Sequence, residues 1–210
     1  MSTTPGAAPL SAKASLVVER YGAVSIALHW TIAALILIQI GMGLYMNHVV
    51  EDHSPTQDSI QLIHVSLGLT TLVLVVVRIV WRLTHPSPLL PVGLPAWERT
   101  LARATQVLFY VLMLALPLTG WALLSVRPED ILFWGAHWPR LPGLTPEPGR
   151  HGGPIGHTLQ DLHTNWLWWL IAANLVLHVA GALKHQFDGN PVLWRMSPFG
   201  GPRSRIEPPR

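Results

Sequence analysis

The chain has no cysteine. That excludes thiolate-held iron–sulfur clusters, thiolate-ligated haem, disulfides, covalent haem attachment through C-x-x-C-H and cysteine-built zinc sites. Charge is scarce too. Of 210 residues only 12% are Asp, Glu, Lys or Arg, and half are hydrophobic. Mean hydropathy is +0.35, high for a water-soluble domain. The pI of about 9.8 would suit a nucleic-acid binder. The basic residues form no cluster of the kind a binding face needs, so no nucleic-acid partner is expected. Phenylalanine is rare, with four residues against ten tryptophans. That balance suits a protein anchored at membrane interfaces.

What remains is arranged in long apolar runs. Four stretches are long enough to cross a bilayer at about 20 residues each: residues 23–45, 60–80, 106–126 and 159–183. The reading is an all-α integral membrane protein, a bundle of four transmembrane helices. Pro117 and Gly120 are expected to kink the third span. Residues 47–59 read as an acidic loop, 82–100 as a proline-rich loop and 127–157 as the longest extramembrane segment. Residues 1–19 have no periodicity and lack the charged start and apolar core of a cleavable signal peptide. They are expected to form a disordered cytoplasmic tail, residues 20–196 the membrane domain, and residues 197–210 a basic tail. Four spans put both termini on one side. That side carries Lys13, Arg20, Arg78, Arg82, Arg99, Arg103, Lys184, Arg195, Arg203, Arg205 and Arg210, whereas the other carries only Arg127, Arg140 and Arg150. The positive-inside rule predicts that both termini are cytoplasmic.

Four histidines lie inside the apolar runs: His29, His64, His163 and His178. Ionisable groups within a membrane span are costly, which marks each as a functional candidate. His29 and His178 lie at matching depths from the cytoplasmic ends of the first and fourth spans. His64 and His163 lie in the outer halves of the second and fourth. Antiparallel packing therefore opposes His29 to His178 and His64 to His163. The fourth helix carries one member of each pair, about 22 Å apart along its axis. Neutral imidazole is a good axial ligand for iron, so the pattern predicts two bis-histidine haem groups stacked across the membrane. Single histidines can instead hydrogen-bond a neighbouring carbonyl. One haem, a proton path or a metal site are the other accounts of the set. His48, His53, His85, His137, His151 and His157 fall in loops or at interfaces, where exposure explains them. Arg78, Arg82 and Lys184 are candidates for pairing with propionates of the inner haem, with positive-inside anchoring as the alternative. Gly41, Gly43, Gly68 and Gly120 suit either the approach of a macrocycle or plain helix packing. Trp134, Trp138, Trp166, Trp168 and Trp169 gather at the outer interface and read as an aromatic belt. Residues 131–138, ILFWGAHW, suit a segment lying flat on the membrane surface.

The sequence resembles the bacterial cytochrome b561 group of four-helix, two-haem membrane proteins. The matching stretches are Arg20–Tyr21 followed by IALHW (26–30), IHVSLGL (63–69), RIVWRLTHPSP (78–88), LPLTGW (116–121), LHVAGALKHQF (177–187) and LWRMSP (193–198). The resemblance implies that His29, His64, His163 and His178 ligate two haem b groups in a bacterial inner-membrane protein. Some members of that group look like superoxide oxidases, which take an electron from superoxide on the outer side and reduce ubiquinone. In those, the residue matching His185 sits beside a quinone, and Lys184 adjoins it here. The chain departs from the group at one point. The fourth-helix ligands are 15 residues apart rather than the usual 14. The extra residue turns the second ligand by roughly 100° in an ideal helix. A π-type widening between them, expected near residues 166–174, would absorb the turn. Otherwise His157 or another residue replaces His163.

Superoxide as donor rests on the resemblance alone. Arg127, Arg140 and Arg150 could draw an anion to the outer face, offset by Glu129, Asp130, Glu147 and Asp161. The rival functions are a non-catalytic electron-transfer anchor for a dehydrogenase or periplasmic redox partner, docked on residues 127–157, and a metal or haem transporter.

Overall fold

The computed structural model describes residues 20–51, 54–85, 88, 95–188 and 192–199. The tail expected at 1–19, most of the one expected at 197–210, and His53 lie outside the described residues. Four helices are long and apolar enough to cross a membrane. α1 is Ala23–His48, α2 is Pro55–Thr84 and α3 is Ala96–Val126. The fourth span runs continuously over Gly153–Phe187 in three parts: α4 (Gly153–Asp161), a π-helical turn (Leu162–Leu167) and α5 (Trp168–Phe187).

The helix boundaries differ from the apolar runs for local reasons. α2 starts five residues before Ile60, because Ser54 caps it and Pro55 occupies its first turn. The Ser54 hydroxyl accepts from the Gln57 amide at 3.2 Å. A side-chain cap with proline behind it is a strong helix start. α3 starts ten residues before Gln106, so residues 96–100, expected as loop, belong with 101–105 to an amphipathic extension carrying Glu98, Arg99 and Arg103. Pro117 stands inside α3, where it removes one backbone donor from the ladder.

The bundle is closed by a mid-membrane cluster to which every span contributes: Ile32 of α1, Val75 of α2, Leu112 and Met113 of α3, and Ile171 of α5. By sequence position this cluster lies between the two histidine levels. Outward faces remain apolar and exposed, as at Leu37, Val73, Val107, Val111 and Val176, which is how a bundle meets lipid. Hydroxyls within the spans are satisfied by their own helix. The Ser66, Thr70 and Thr71 hydroxyls donate to the Leu62, Ser66 and Leu67 carbonyls, as a medium without water requires.

On the outer side, residues 131–138 are not a flat surface segment. They form a hairpin of β1 (Leu132–Phe133) and β2 (Ala136–His137), turning at Trp134 and Gly135, both with positive φ. Left-handed conformation at both central residues is the hairpin geometry that matches strand twist. The Trp134 amide donates to Ser66 Oγ at 3.0 Å and so docks the hairpin on α2. Arg140 clamps the loop to the end of α3. Its guanidinium donates to the carbonyls of Leu124, Ser125, Arg127, Pro128 and Glu129 at 2.7–3.3 Å. Gly152 opens α4 with φ of 75°, and a Cβ there would lie 2.7 Å from the Val126 carbonyl oxygen. At the opposite end the Tyr21 amide donates to the Arg195 carbonyl at 3.2 Å and the Trp30 indole to the Met196 carbonyl at 2.7 Å. The two ends of the membrane domain therefore meet on one side.

Candidate functional site

The four membrane histidines form two pairs. The rings of His29 on α1 and His178 on α5 have centroids 6.2 Å apart. Those of His64 on α2 and His163 on the π turn are 6.3 Å apart. With a metal–nitrogen bond of about 2.0 Å and about 1.1 Å from that nitrogen to the ring centre, two imidazoles sharing one ion stand roughly 6.2 Å apart. Both pairs have a separation compatible with one shared ion. Among the described residues no third His, Cys, Asp or Glu completes a metal cluster.

The outer pair is built with care. The His163 Nδ1 lies 3.1 Å from Thr119 Oγ1. That hydroxyl already donates its proton to carbonyls of its own helix, Ala115 and Leu116, both at 2.8 Å. With its proton on one of those carbonyls, its oxygen is placed to accept from an Nδ1–H. This leaves the Nε2 lone pair free for a metal, the usual device for fixing a ligand's tautomer. A Cβ on Gly120 would lie 3.2 Å from His163 Cε1. The absence of a side chain at Gly120 makes room for the His163 ring. At Gly68 a Cβ would meet the Gln39 amide nitrogen at 3.0 Å, and at Gly41 and Gly43 it would meet nothing within 4 Å among the described residues. Gln39 donates to the His64 carbonyl at 3.0 Å. The His64 Nδ1 is buried without a hydrogen-bond partner, an open valence that an apolar site rarely tolerates.

The π turn answers the spacing problem. It spans Leu162–Leu167, holds His163 itself and lies slightly earlier than residues 166–174. A wide turn takes up one extra residue, so fifteen residues span nearly what fourteen would in a regular helix. His157 does not replace His163; its ring lies beside His151, with centroids 5.2 Å apart.

A model of the prokaryotic cytochrome b561 family matches residues 20–199. The chain belongs to that family. Cytochrome b561 homolog 2 of Escherichia coli is 29% identical over 182 residues, covering 85% of this chain and 91% of the relative. A probable superoxide oxidase CybB of Yersinia pestis is 26% identical over 185 residues, covering 86% and 97%. Cytochrome b561 homolog 1 of Escherichia coli is 26% identical over 184 residues, covering 86% and 98%. The family implies haem b and electron transfer in a membrane.

This cytochrome b561 also has polar groups at the inner level. Arg78 reaches toward His29, with Nη2 to Nδ1 at 3.5 Å, and donates to the Ser25 carbonyl at 3.3 Å. Arg78 and Arg82 line one cavity with Tyr21, Ser25, Gln106 and Tyr110, a donor-rich recess that fits a carboxylate. Phe109 packs edge-on against His178 with centroids 5.3 Å apart. Lys184 does not reach that cavity. It pairs with Glu98 at 3.0 Å and Asp188 at 2.7 Å. Glu98 falls within residues 82–100, where the sequence suggests a loop, so nothing in the sequence sets it against α5.

Several outer-face residues are otherwise engaged. Arg140 is spent on backbone carbonyls, and Arg127 donates to Gln160 Oε1 at 2.6 Å. Burial lowers the Arg127 pKa from its ordinary value, Glu129 opposes this and Arg150 adds to it. Neither Arg127 nor Arg140 is a freely presented charge, which weakens the case for anion steering by these arginines. Trp134, Trp166 and Trp169 are exposed, as a belt requires.

Proposed function

We propose that this cytochrome holds two haem b groups, one on His29 and His178 and one on His64 and His163, and passes electrons from superoxide at the periplasmic face to ubiquinone at the cytoplasmic face. The observation that carries it is the pair of imidazole couples at two depths, each at the separation expected for one shared ion. Bound iron supplies reversible one-electron carriage. The chain's own residues do the rest. Thr119 fixes the His163 tautomer. Arg78 and Arg82 are placed to take the inner propionates. Coordination through His29 Nε2 needs a protonated Nδ1, so a carboxylate would draw Arg78 away from its present contact with that atom. The apolar cluster around Val75 and Ile171 keeps water out between the levels. His185 and Lys184 can donate hydrogen bonds to a quinone carbonyl at the inner interface.

Superoxide enters the proposal through the probable superoxide oxidase among the relatives. The test mixes haem-loaded protein, a superoxide source and a short-chain ubiquinone under air. Haem reduction that depends on superoxide, with net quinol formation, is the expected result. A fully loaded sample whose haems superoxide does not reduce would overturn the enzyme reading. It would leave a non-catalytic electron-transfer subunit, for which the folded loop at 127–157 offers a docking face.

The orientation is proposed from charge, with both termini in the cytoplasm of a bacterial inner-membrane protein. A reporter fused after Arg210 should be active in the cytoplasm only. Activity confined to the periplasm would exchange the inner and outer labels of the two sites.

A further inference from the structure

We propose that Glu98 is a positioning residue for reduction of the quinone, acting through His185; this rests on the quinone reading above. Glu98 stands in the first turn of α3 with its side chain only 10% exposed. Its two oxygens face different partners on α5. Oε1 accepts from Lys184 Nζ at 3.0 Å, and Oε2 lies 3.7 Å from His185 Nδ1. That Nδ1 is buried and has no hydrogen-bond partner among the described residues. Asp188 holds the other side of Lys184 at 2.7 Å.

A helix staple alone does not account for this layout. Asp188 already neutralises Lys184, and a staple would not aim a second carboxylate oxygen at a buried, unpartnered imidazole. The four groups form a gradient of access instead. Lys184 and Asp188 are about half exposed, while His185 and Glu98 are 17% and 10% exposed. A carboxylate oxygen facing Nδ1 can take the proton side of that atom when the ring carries protons on both nitrogens, which orients the ring. The Nε2 proton is then the one offered to a ligand.

The chemistry balances as follows. Ubiquinone would take two electrons, which bound haem would supply one at a time, and two protons, giving the quinol. Each proton leaves His185 Nε2 for a quinone oxygen, and cytoplasmic water restores the imidazolium along the exposed side of the cluster. Superoxide, the donor named above, supplies the electrons and leaves as dioxygen. Glu98 faces the Nδ1 side of the ring throughout and is not consumed.

The test uses the full, haem-loaded chain in stopped flow. Reduced protein is mixed with short-chain ubiquinone, and haem reoxidation is followed together with quinol yield. Glu98→Gln should keep the wild-type haem spectrum and the wild-type rate of reduction by superoxide. Its reoxidation at saturating quinone should slow roughly tenfold or more, the scale of lost acid–base assistance. The quinone KM should stay within about twofold, Glu98→Asp should recover part of the rate, and Glu98→Gln combined with His185→Gln should be no slower than His185→Gln alone. Reoxidation of Glu98→Gln at the wild-type rate overturns the proposal. So does an equal slowing of haem reduction and reoxidation, which marks a structural defect. If Glu98→Gln fails to load haem, Glu98→Asp is read instead. A reduced rate at unchanged KM supports the role, and the wild-type rate overturns it. Wild-type haems that quinone does not reoxidise would sink the quinone reading itself, and this proposal with it.

Discussion

A His29→Ala protein should retain one haem per chain where the parent retains two, and His178→Ala should lose the same one. His64→Ala and His163→Ala should each lose the other. The prediction follows from pairing across helices. α1 supplies one imidazole of the inner couple and α2 one of the outer, whereas the fourth span supplies one to each. Removing one axial ligand leaves the iron site incomplete and puts a cavity in its place. The two sites are separated by the cluster around Ile32, Val75 and Ile171, so loss at one level should leave the other nearly intact. The check is pyridine haemochrome stoichiometry with reduced-minus-oxidised spectra of all four variants. Two groups of two matched spectra support the pairing. One haem or none in the unsubstituted protein, or spectra that group as His29 with His64, would show the pairing to be wrong.

The second large effect lies far from the histidines. Arg140→Ala should destabilise the folded outer loop by about 2–4 kcal/mol, because hydrogen bonds to a charged donor contribute about 1.5–3 kcal/mol each and do not add fully. Five carbonyls at the end of α3 and just beyond accept from this one guanidinium. A helix end leaves such carbonyls unpaired unless something caps them. Lysine offers three donors from one nitrogen and cannot spread over the same fan. Arg140→Lys should therefore recover less than half of the loss. Limited proteolysis of residues 127–152 with temperature reads this directly. Cleavage of Arg140→Ala at the wild-type temperature would show that the hairpin and the bond from the Glu147 amide to the Val126 carbonyl suffice to hold the loop.

The spans and the histidine pairing were legible because lipid imposes simple rules. A crossing helix needs an unbroken apolar run, and an imidazole within it stands out. The extra residue before His178 was legible only against the usual spacing of the group the sequence resembles, and helix geometry then required that the change in count be absorbed. Its place at Leu162–Leu167 was not, since a π turn settles where neighbouring packing permits. The outer side was harder to read. The hairpin at 132–137 turns on Trp134–Gly135, with a tryptophan in a left-handed conformation that composition does not announce. Glu98 was missed because amphipathic helix outside the membrane carries charge and resembles loop. Arg140 was read as a free charge, and only the fold shows that it caps a helix.

The division of the imidazoles among the spans also sets an order of assembly. His29 and His64 emerge early, on the first two helices made, and neither has its counterpart until the last span is in place. Synthesis runs from the N-terminus, so no pair can close on iron while the chain is still three helices long. The unfinished bundle must hold its two lone histidines in lipid until the fourth helix arrives. That single insertion completes both imidazole pairs at once, so haem held between them as proposed would be loaded only into the finished chain.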